Sequence, residues 1–359
     1  NLAKELYFEK EIDIKYSNWL DIGHVSTYPL TRISSISSRF FNLLTFKEEE
    51  NVIQKRSDNK SKISDEIAYY ETIPDEIKRY FPTIINVEEN KEYSSYEMEY
   101  ICKPNLSEIY LFSKVGPNAI ERIFISIERI FKTFYKQKPN IIENGSWLYS
   151  EKTIKRQLEL ENIIENKNFH ILNCMYNNDF SINNLKLPSL KKSFTFLNEE
   201  LLKFEKNRPF HLGHGDLCFN NILIDPNYGE IKLIDPRANK HLKIDKYGLI
   251  DNFYDISKLN HSIEGLYDSI VNNLFNLKIQ EKDEFCLEIF KPLEYELFNF
   301  YFKEIILKRR ISYEELRILT GNLFLSMLPL HLDDKKRMIA LALVGSIFIN
   351  DKSINEIFI

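Results

Sequence analysis

The segment "HLGHGDLCFNNILID", His211 to Asp225, is followed at Glu230 to Arg237 by "EIKLIDPR". It sets two aspartates, Asp216 and Asp235, around a short loop and places Asn221 five residues after the first. A turn needs no such arrangement. "NILID" and "EIKLID" are apolar runs separated by the turn signal "PNYG", so they are expected to pair as an antiparallel hairpin. Asn221 precedes the first strand and Asp235 follows the second, so an amide oxygen and a carboxylate converge. Magnesium favours such oxygen ligands and takes only one or two from the protein when phosphates supply the rest. Asp216 stands in the loop, where it can accept a proton from a hydroxyl. These residues are the ones expected at a site of phosphoryl transfer, which asks for positioning, charge neutralisation and one oriented nucleophile.

A cationic partner for phosphates comes from the first third of the chain. "VIQKRS", Val52 to Ser57, is a short strand candidate carrying Lys55. "SKISDEIAYYETIP" then has helical spacing, with Ile63, Ile67 and Tyr70 on one face and Pro74 as its stop. Glu66 lies in the body of that helix and is favoured over Glu71 as the partner of Lys55. The plain alternative for Lys55 is an exposed strand lysine. Two further strands are expected around the charged turn Glu88 to Glu92. The linker Tyr96 to Ile101, with Glu99 and Ile101, can then present backbone groups to a purine.

At this point the residues resemble the aminoglycoside phosphotransferase and choline kinase superfamily. Its loop pattern H-G-D-x-x-x-x-N is met by His214, Gly215, Asp216 and Asn221. The likeness covers roughly residues 38 to 345 and is most specific between His214 and Asp235. It implies a protein-kinase-like fold, with ATP and magnesium as cofactors. It also implies Asp216 as catalytic base, Asn221 and Asp235 as metal ligands, and Lys55 with Glu66 as phosphate anchors. A narrower likeness joins Trp19–Arg32 and the Gly213–Arg237 region to kinase-like domains associated with bacterial capsule or surface-polysaccharide assembly. In those proteins such a domain can follow another catalytic domain. That agrees with a chain that starts at Asn1 instead of methionine, and an upstream domain is expected.

Departures are visible as well. No G-x-G-x-x-G stands over the phosphate site; the serine-rich Thr31–Phe41 segment takes that place. Pro236-Arg237 replaces the glycine that would follow the metal aspartate, so the segment is not expected to flip. Arg237 has three candidate partners: a phosphate, a substrate acid, or Asp255. For Asp255 itself, bracing the loop is favoured over touching substrate. His214 reads as a structural hydrogen-bonding residue and His211 as packing.

The rest of the chain bounds the reading. With 359 residues, 43% of them hydrophobic, it can bury a large core. A net charge of -5 argues against a nucleic-acid binder. Four dispersed cysteines indicate reduced thiols and a cytoplasmic setting. Met338 to Ile349 is too short an apolar run to span a membrane. The expected fold is α+β and two-lobed. Residues 1–30 form a lead-in, 31–101 a β-rich N-lobe with one helix, and 102–359 a helical C-lobe. The Asn-rich stretch 165–184 is read as a surface excursion, and nearly everything after residue 250 as helix. Tyr247, Phe253, Tyr254 and Tyr267 form either a cation-binding pocket or aromatic core, with core favoured.

The expected activity is ATP-dependent phosphorylation of a hydroxyl on a sugar, sugar acid, polyol or related surface-polysaccharide precursor. Choline or ethanolamine, an aminoglycoside, and a non-catalytic nucleotide-binding role remain as alternatives. Glycoside hydrolysis by the pair Asp216 and Asp235 would leave Asn221 and Lys55 without purpose. A protein acceptor is disfavoured because no activation segment is recognisable.

Overall fold

A computed structural model describes residues 43–350, apart from 48, 91, 139, 168, 238–247 and 310. The lead-in, the Trp19–Arg32 stretch, the serine-rich segment and Tyr247 therefore lie outside the described residues.

The N-terminal part is a four-stranded antiparallel sheet with a helix against it. Strand β1 (Leu43–Lys47) turns through Asn51, at φ 52°, into β2 (Val52–Ser57), which follows the "VIQKRS" reading residue for residue. Helix α1 (Lys60–Thr72) buries Ile63, Ile67 and Tyr70 as the helical spacing predicts, together with Glu66 and Tyr69. A short α2 (Asp75–Lys78) follows Pro74. Strands β3 (Ile84–Glu89) and β4 (Ser94–Glu99) then complete the order β1-β2-β4-β3. Strand β4 is central and buried from Ser94 to Met98. Its register places Lys55 opposite Tyr96.

Helix begins after the linker. Helix α3 (Leu106–Phe112) opens with a capping box: Asn105 accepts the Glu108 amide at 2.8 Å, and Glu108 accepts the Asn105 amide at 2.8 Å. Asn105→Ala is expected to cost about 1 kcal/mol in urea unfolding; no change in midpoint would show the cap to be redundant. Helix α4 (Pro117–Lys136) starts on Pro117 and buries Ile120, Ile123, Phe124, Ile127, Ile130, Phe131 and Phe134 as one face. Strand β5 (Ile141–Glu143) and helix α5 (Ser150–Asn166) come next.

The Asn-rich stretch corrects its reading as a surface excursion. It contains α6 (His170–Asn177) and β6 (Phe180–Ile182) and leads into β7 (Leu185–Leu187). Leu172, Met175 and Tyr176 fall on one buried helical face, and Asn183 and Asn184 take the positive φ that a tight hairpin needs. Sparse apolar residues at the right spacing outweighed the polar average.

Helix α7 (Leu190–Phe204) leads into β8 (Arg208–Leu212), the centre of a three-stranded sheet ordered β11-β8-β5. The expected hairpin is β9 (Ile222–Asp225) with β10 (Glu230–Leu233), Ile222 facing Leu233. Strand β11 (Leu249–Asp251) runs directly into α8 (Asn252–Ile263), followed by α9 (Tyr267–Val271).

The C-terminal third is not all helix. Strands β12 (Phe275–Glu281) and β13 (Glu284–Ile289) pair antiparallel, and β13 joins β6 in parallel. Alternation in "FNLKIQE" and "EFCLEI" is a period-two signal that the helical flanks had masked. Helices α10 (Tyr295–Arg309), α11 (Tyr313–Met327) and α12 (Lys335–Ile349) close the core. Met338 to Ile349 is buried without exception, as a core helix. No described helix is long and apolar enough to cross a membrane.

Candidate active site

Strand β8 delivers the chain into the loop 213–221, and its first residues have no freedom of side chain. A Cβ on Gly213 would lie 2.3 Å from Ile250 Cγ2, and Gly215 has φ +78°. Between them His214 is fully buried. The Asp216 amide donates to its Nδ1 at 3.2 Å, so Nδ1 is the acceptor and Nε2 donates to the Ile234 carbonyl at 3.0 Å. The ring therefore ties the backbone of Asp216 to the residue before Asp235. Burial pushes the imidazole down to about 4.

This shift has a stability sign. The unfolded chain takes up the proton near 6.5 and the folded protein resists it. The contribution is complete above about 6.5 and is lost as pH falls toward about 4. An imidazole NMR titration of His214 is expected to show a midpoint well below 6, and a midpoint above 6 would refute the buried neutral ring.

Asp255, from the first turn of α8, accepts the His214 amide at 2.7 Å and the Gly215 amide at 2.9 Å. It braces the loop from beneath. Burial raises its carboxyl to about 7 against the pull of those amides. Asn221 Nδ2 donates to the Asp216 carbonyl at 2.8 Å, while the Ile234 amide donates to the Asn221 carbonyl at 3.1 Å. Asp216, Asn221 and the approach to Asp235 are thus stitched together by short hydrogen bonds.

The N-terminal sheet adds its lysine to this loop. Lys55 Nζ lies 2.7 Å from Glu66 Oε2 and 2.6 Å from Asp235 Oδ1, and both Lys55 and Glu66 are 1% exposed. Tyr96 donates to Glu66 at 2.9 Å. Burial disfavours the Lys55 charge, and Asp235 and Glu66 overcome it, holding the ammonium above its usual range. Asp235 adopts φ 57°, and Lys55 keeps its carboxyl low despite burial. Tyr69 reaches across to the Gly213 carbonyl at 2.9 Å, so α1 fixes the loop as well as the lysine.

Asp216 is flanked by cations. Lys258 Nζ sits 3.0 Å from Oδ1, and Arg237 Nη2 and Nε sit 3.1 and 3.3 Å from Oδ2. Although burial opposes ionisation, Lys258 and Arg237 keep this carboxyl well below the usual range. Of the partners open to Arg237, Asp255 is not the one it meets: the guanidinium meets Asp216, with Glu66 Oε1 at 3.8 Å, while Asp255 is taken by backbone amides.

Solved structures similar to this chain include aminoglycoside phosphotransferases. An aminoglycoside-3'-phosphotransferase of type VIII is 12% identical with a TM-score of 0.44, over 77% of this chain and 84% of its own. A thermostable mutant of aminoglycoside phosphotransferase APH(4)-Ia is 12% identical with a TM-score of 0.49, over 89% and 97%. The ADP-bound aminoglycoside phosphotransferase APH(2'')-Ib is 11% identical with a TM-score of 0.48, over 88% and 93%. No protein-family profile matches the chain, and no curated protein does.

Apart from Tyr247, the residues singled out individually in the sequence lie among the described residues. Lys55, Glu66, Asp216, Asn221, Asp235 and Arg237 gather in one place, with Asp255 behind the loop. Glu99 and Ile101 lie at the end of β4 and in the linker, where the Glu99 amide donates to the Thr83 carbonyl at 2.9 Å and the Ile101 carbonyl accepts the Lys103 amide at 2.8 Å. Of the four aromatic residues weighed as a cation pocket, Tyr247 lies outside the described residues. Phe253 packs on Phe204, and Tyr267 stacks on His261 at 4.3 Å. These contacts place Phe253 and Tyr267 in aromatic core, while Tyr254 lies beside Lys152 and Lys258.

Lys258 was not singled out from the sequence. Its signal is a lysine inside "YDISKLNHSI", a helix segment buried at every position from Tyr254 to Ile263. Only a buried counter-charge would make that tolerable. Cys218 is a free thiol whose pKa burial raises, which suits packing and not nucleophilic attack.

Proposed function

We propose that this protein is an ATP- and magnesium-dependent kinase that phosphorylates a hydroxyl of a small molecule. The observation that carries the reading is the convergence of the buried Lys55–Glu66–Asp235 cluster on a loop whose Asp216 is held ionised. Lys55, positioned by Glu66, would hold the α- and β-phosphates, and the Glu99 carbonyl and Ile101 amide would meet the purine edge. Asn221 donates its amide hydrogen to Asp216, which leaves Oδ1 as its metal-facing atom, and Asp235 bonds Lys55 through Oδ1, which leaves Oδ2. Two hard oxygen donors suit magnesium, which would neutralise phosphate charge when bound.

Asp216 orients the acceptor. A carboxylate this acidic is a weak base, so it holds the hydroxyl by accepting its hydrogen bond and takes the proton only as the new oxygen–phosphorus bond forms. The bond from the γ-phosphorus to the bridging oxygen breaks, and ADP leaves. Sugars, polyols and sugar acids entering surface polysaccharide are the acceptor class, a part that rests on the likeness of Trp19–Arg32 and Gly213–Arg237 to capsule-associated kinase-like domains.

The test is ADP release with Mg-ATP across sugars, uronic acids, polyols, choline, ethanolamine and aminoglycosides, with mass spectrometry of each product. A singly phosphorylated acceptor supports the reading. Failure to bind Mg-ATP at all would overturn it.

A further inference from the structure

The surroundings of Asp216 differ on its two oxygens. Oδ2 faces Arg237, which also approaches Glu66 on the Lys55 side. Oδ1 faces Lys258, and a second ammonium, that of Lys152, lies beside the same ring as Lys258. Lys258 Nζ lies 5.8 Å from the centre of the Tyr254 ring, and Lys152 Nζ lies 4.9 Å from the same centre. Lys152, from the first turn of α5, donates to Tyr254 Oη at 2.7 Å, and among the described residues it forms no ion pair. Nearby acids are engaged elsewhere. Asp251 accepts Arg208 Nε at 2.6 Å and the Tyr149 hydroxyl at 2.8 Å, and Asp255 holds the loop amides.

Two ammonium groups thus flank one aromatic ring, and among the described residues only Lys258 of the two has a carboxylate partner, Asp216. Like charges gathered around one ring repel, and the repulsion is strongest where water is scarce. A cation is the least suitable third party there, and an anion the most suitable. Tyr254 records the same field: burial raises a phenol's pKa, yet Lys152 and Lys258 bring this one below its ordinary value.

We infer that the acceptor carries an anionic group, a carboxylate or a phosphate, close to its reactive hydroxyl, and that Lys258 and Lys152 bind it. The inference rests on the kinase reading and narrows it. An anion bound at Lys258 also draws that ammonium from Oδ1 and opens the oxygen to the acceptor hydroxyl. Choline, ethanolamine and aminoglycosides, which bring positive charge, are the wrong class for this cationic cluster. Lys152 is a specificity residue acting on substrate charge, and Tyr254 positions it.

The deciding experiment compares matched acceptors with Mg-ATP in wild type and Lys152→Gln: glycerol, glycerate and glycerol phosphate; glucose, glucuronate and glucose phosphate; glucosamine and choline. Anionic members are expected to exceed their neutral partners by roughly tenfold or more in kcat/KM, as a charge-assisted contact supplies. Lys152→Gln is expected to raise KM for the anionic acceptors by about tenfold with kcat within about twofold, and to leave the KM for ATP in place. Response in the carboxylate series or in the phosphate series identifies the source of the charge. Preference for a neutral or cationic acceptor overturns the inference, as does a Lys152→Gln effect on ATP instead of the acceptor. If no acceptor turns over, calorimetric binding decides. Binding of glucuronate or glucose phosphate that Lys152→Gln weakens sustains the anion site, and no such binding overturns it. Mg-ATP binding, measured separately, tests the kinase reading itself.

Discussion

Asp216→Asn is expected to lower kcat by about 10²–10⁴-fold, the span seen when a positioned acid–base group is removed. The KM for ATP is expected to change far less, because Lys55, Glu66 and Asp235 do not depend on that side chain. Asparagine keeps the shape of the residue but can offer an acceptor to only one of the two flanking cations. Its amide group turns toward Lys258 or Arg237, donor against donor. Loss of charge also leaves Lys258, 9% exposed, without its counter-ion. A fall in thermal stability should therefore accompany the kinetic loss, and activity is best compared below the unfolding transition. Turnover retained in Asp216→Asn, with product confirmed by mass spectrometry, would remove this residue from the chemistry.

Lys55→Met is expected to have the second largest effect, and on two quantities at once. The substitution leaves the Glu66 carboxylate buried without the ammonium at 2.7 Å, and breaking a buried pair from one side typically costs about 3–5 kcal/mol. It also removes the proposed phosphate anchor, so Mg-ATP affinity should fall together with stability. The two losses separate in Lys55→Met/Glu66→Gln. Neutralising Glu66 should recover much of the denaturant midpoint while nucleotide affinity stays low. Recovery of both would show that Lys55 serves only the fold, and recovery of neither would show that the cluster is not organised by this ion pair.

Much of this site was legible because its residues are close in sequence or regular in spacing. Val52–Ser57 and the hairpin of β9 and β10 declared themselves through short apolar runs and turn residues, and the helical face of Ile63, Ile67 and Tyr70 carried Glu66 with it. Glu66 was preferable to Glu71 on the same ground. What escaped was set by packing between distant segments. Lys258 meets Asp216 from 42 residues further along the chain, and Lys152 shares a ring with Lys258 although it comes from a helix two strands earlier in the sheet's chain order. No local pattern announces such a meeting. Asp255 stayed open in the sequence as one of three partners for Arg237 for a related reason: backbone amides take it, and amide positions are set by the loop's path. The β12–β13 pair and the Asn-rich segment were obscured by their neighbours' composition, although their own alternation and spacing were present.

Helix α8 carries the Asp255 brace, the Lys258 ammonium and the Tyr254 ring within two turns. These groups can therefore be released only as a unit. The His214 and Gly215 amides, both donated to Asp255, should exchange with deuterium only when that helix opens, and at the rate of the core helices it packs against. Mild denaturant should then extinguish activity and core protection at one midpoint, with no inactive but folded species between them.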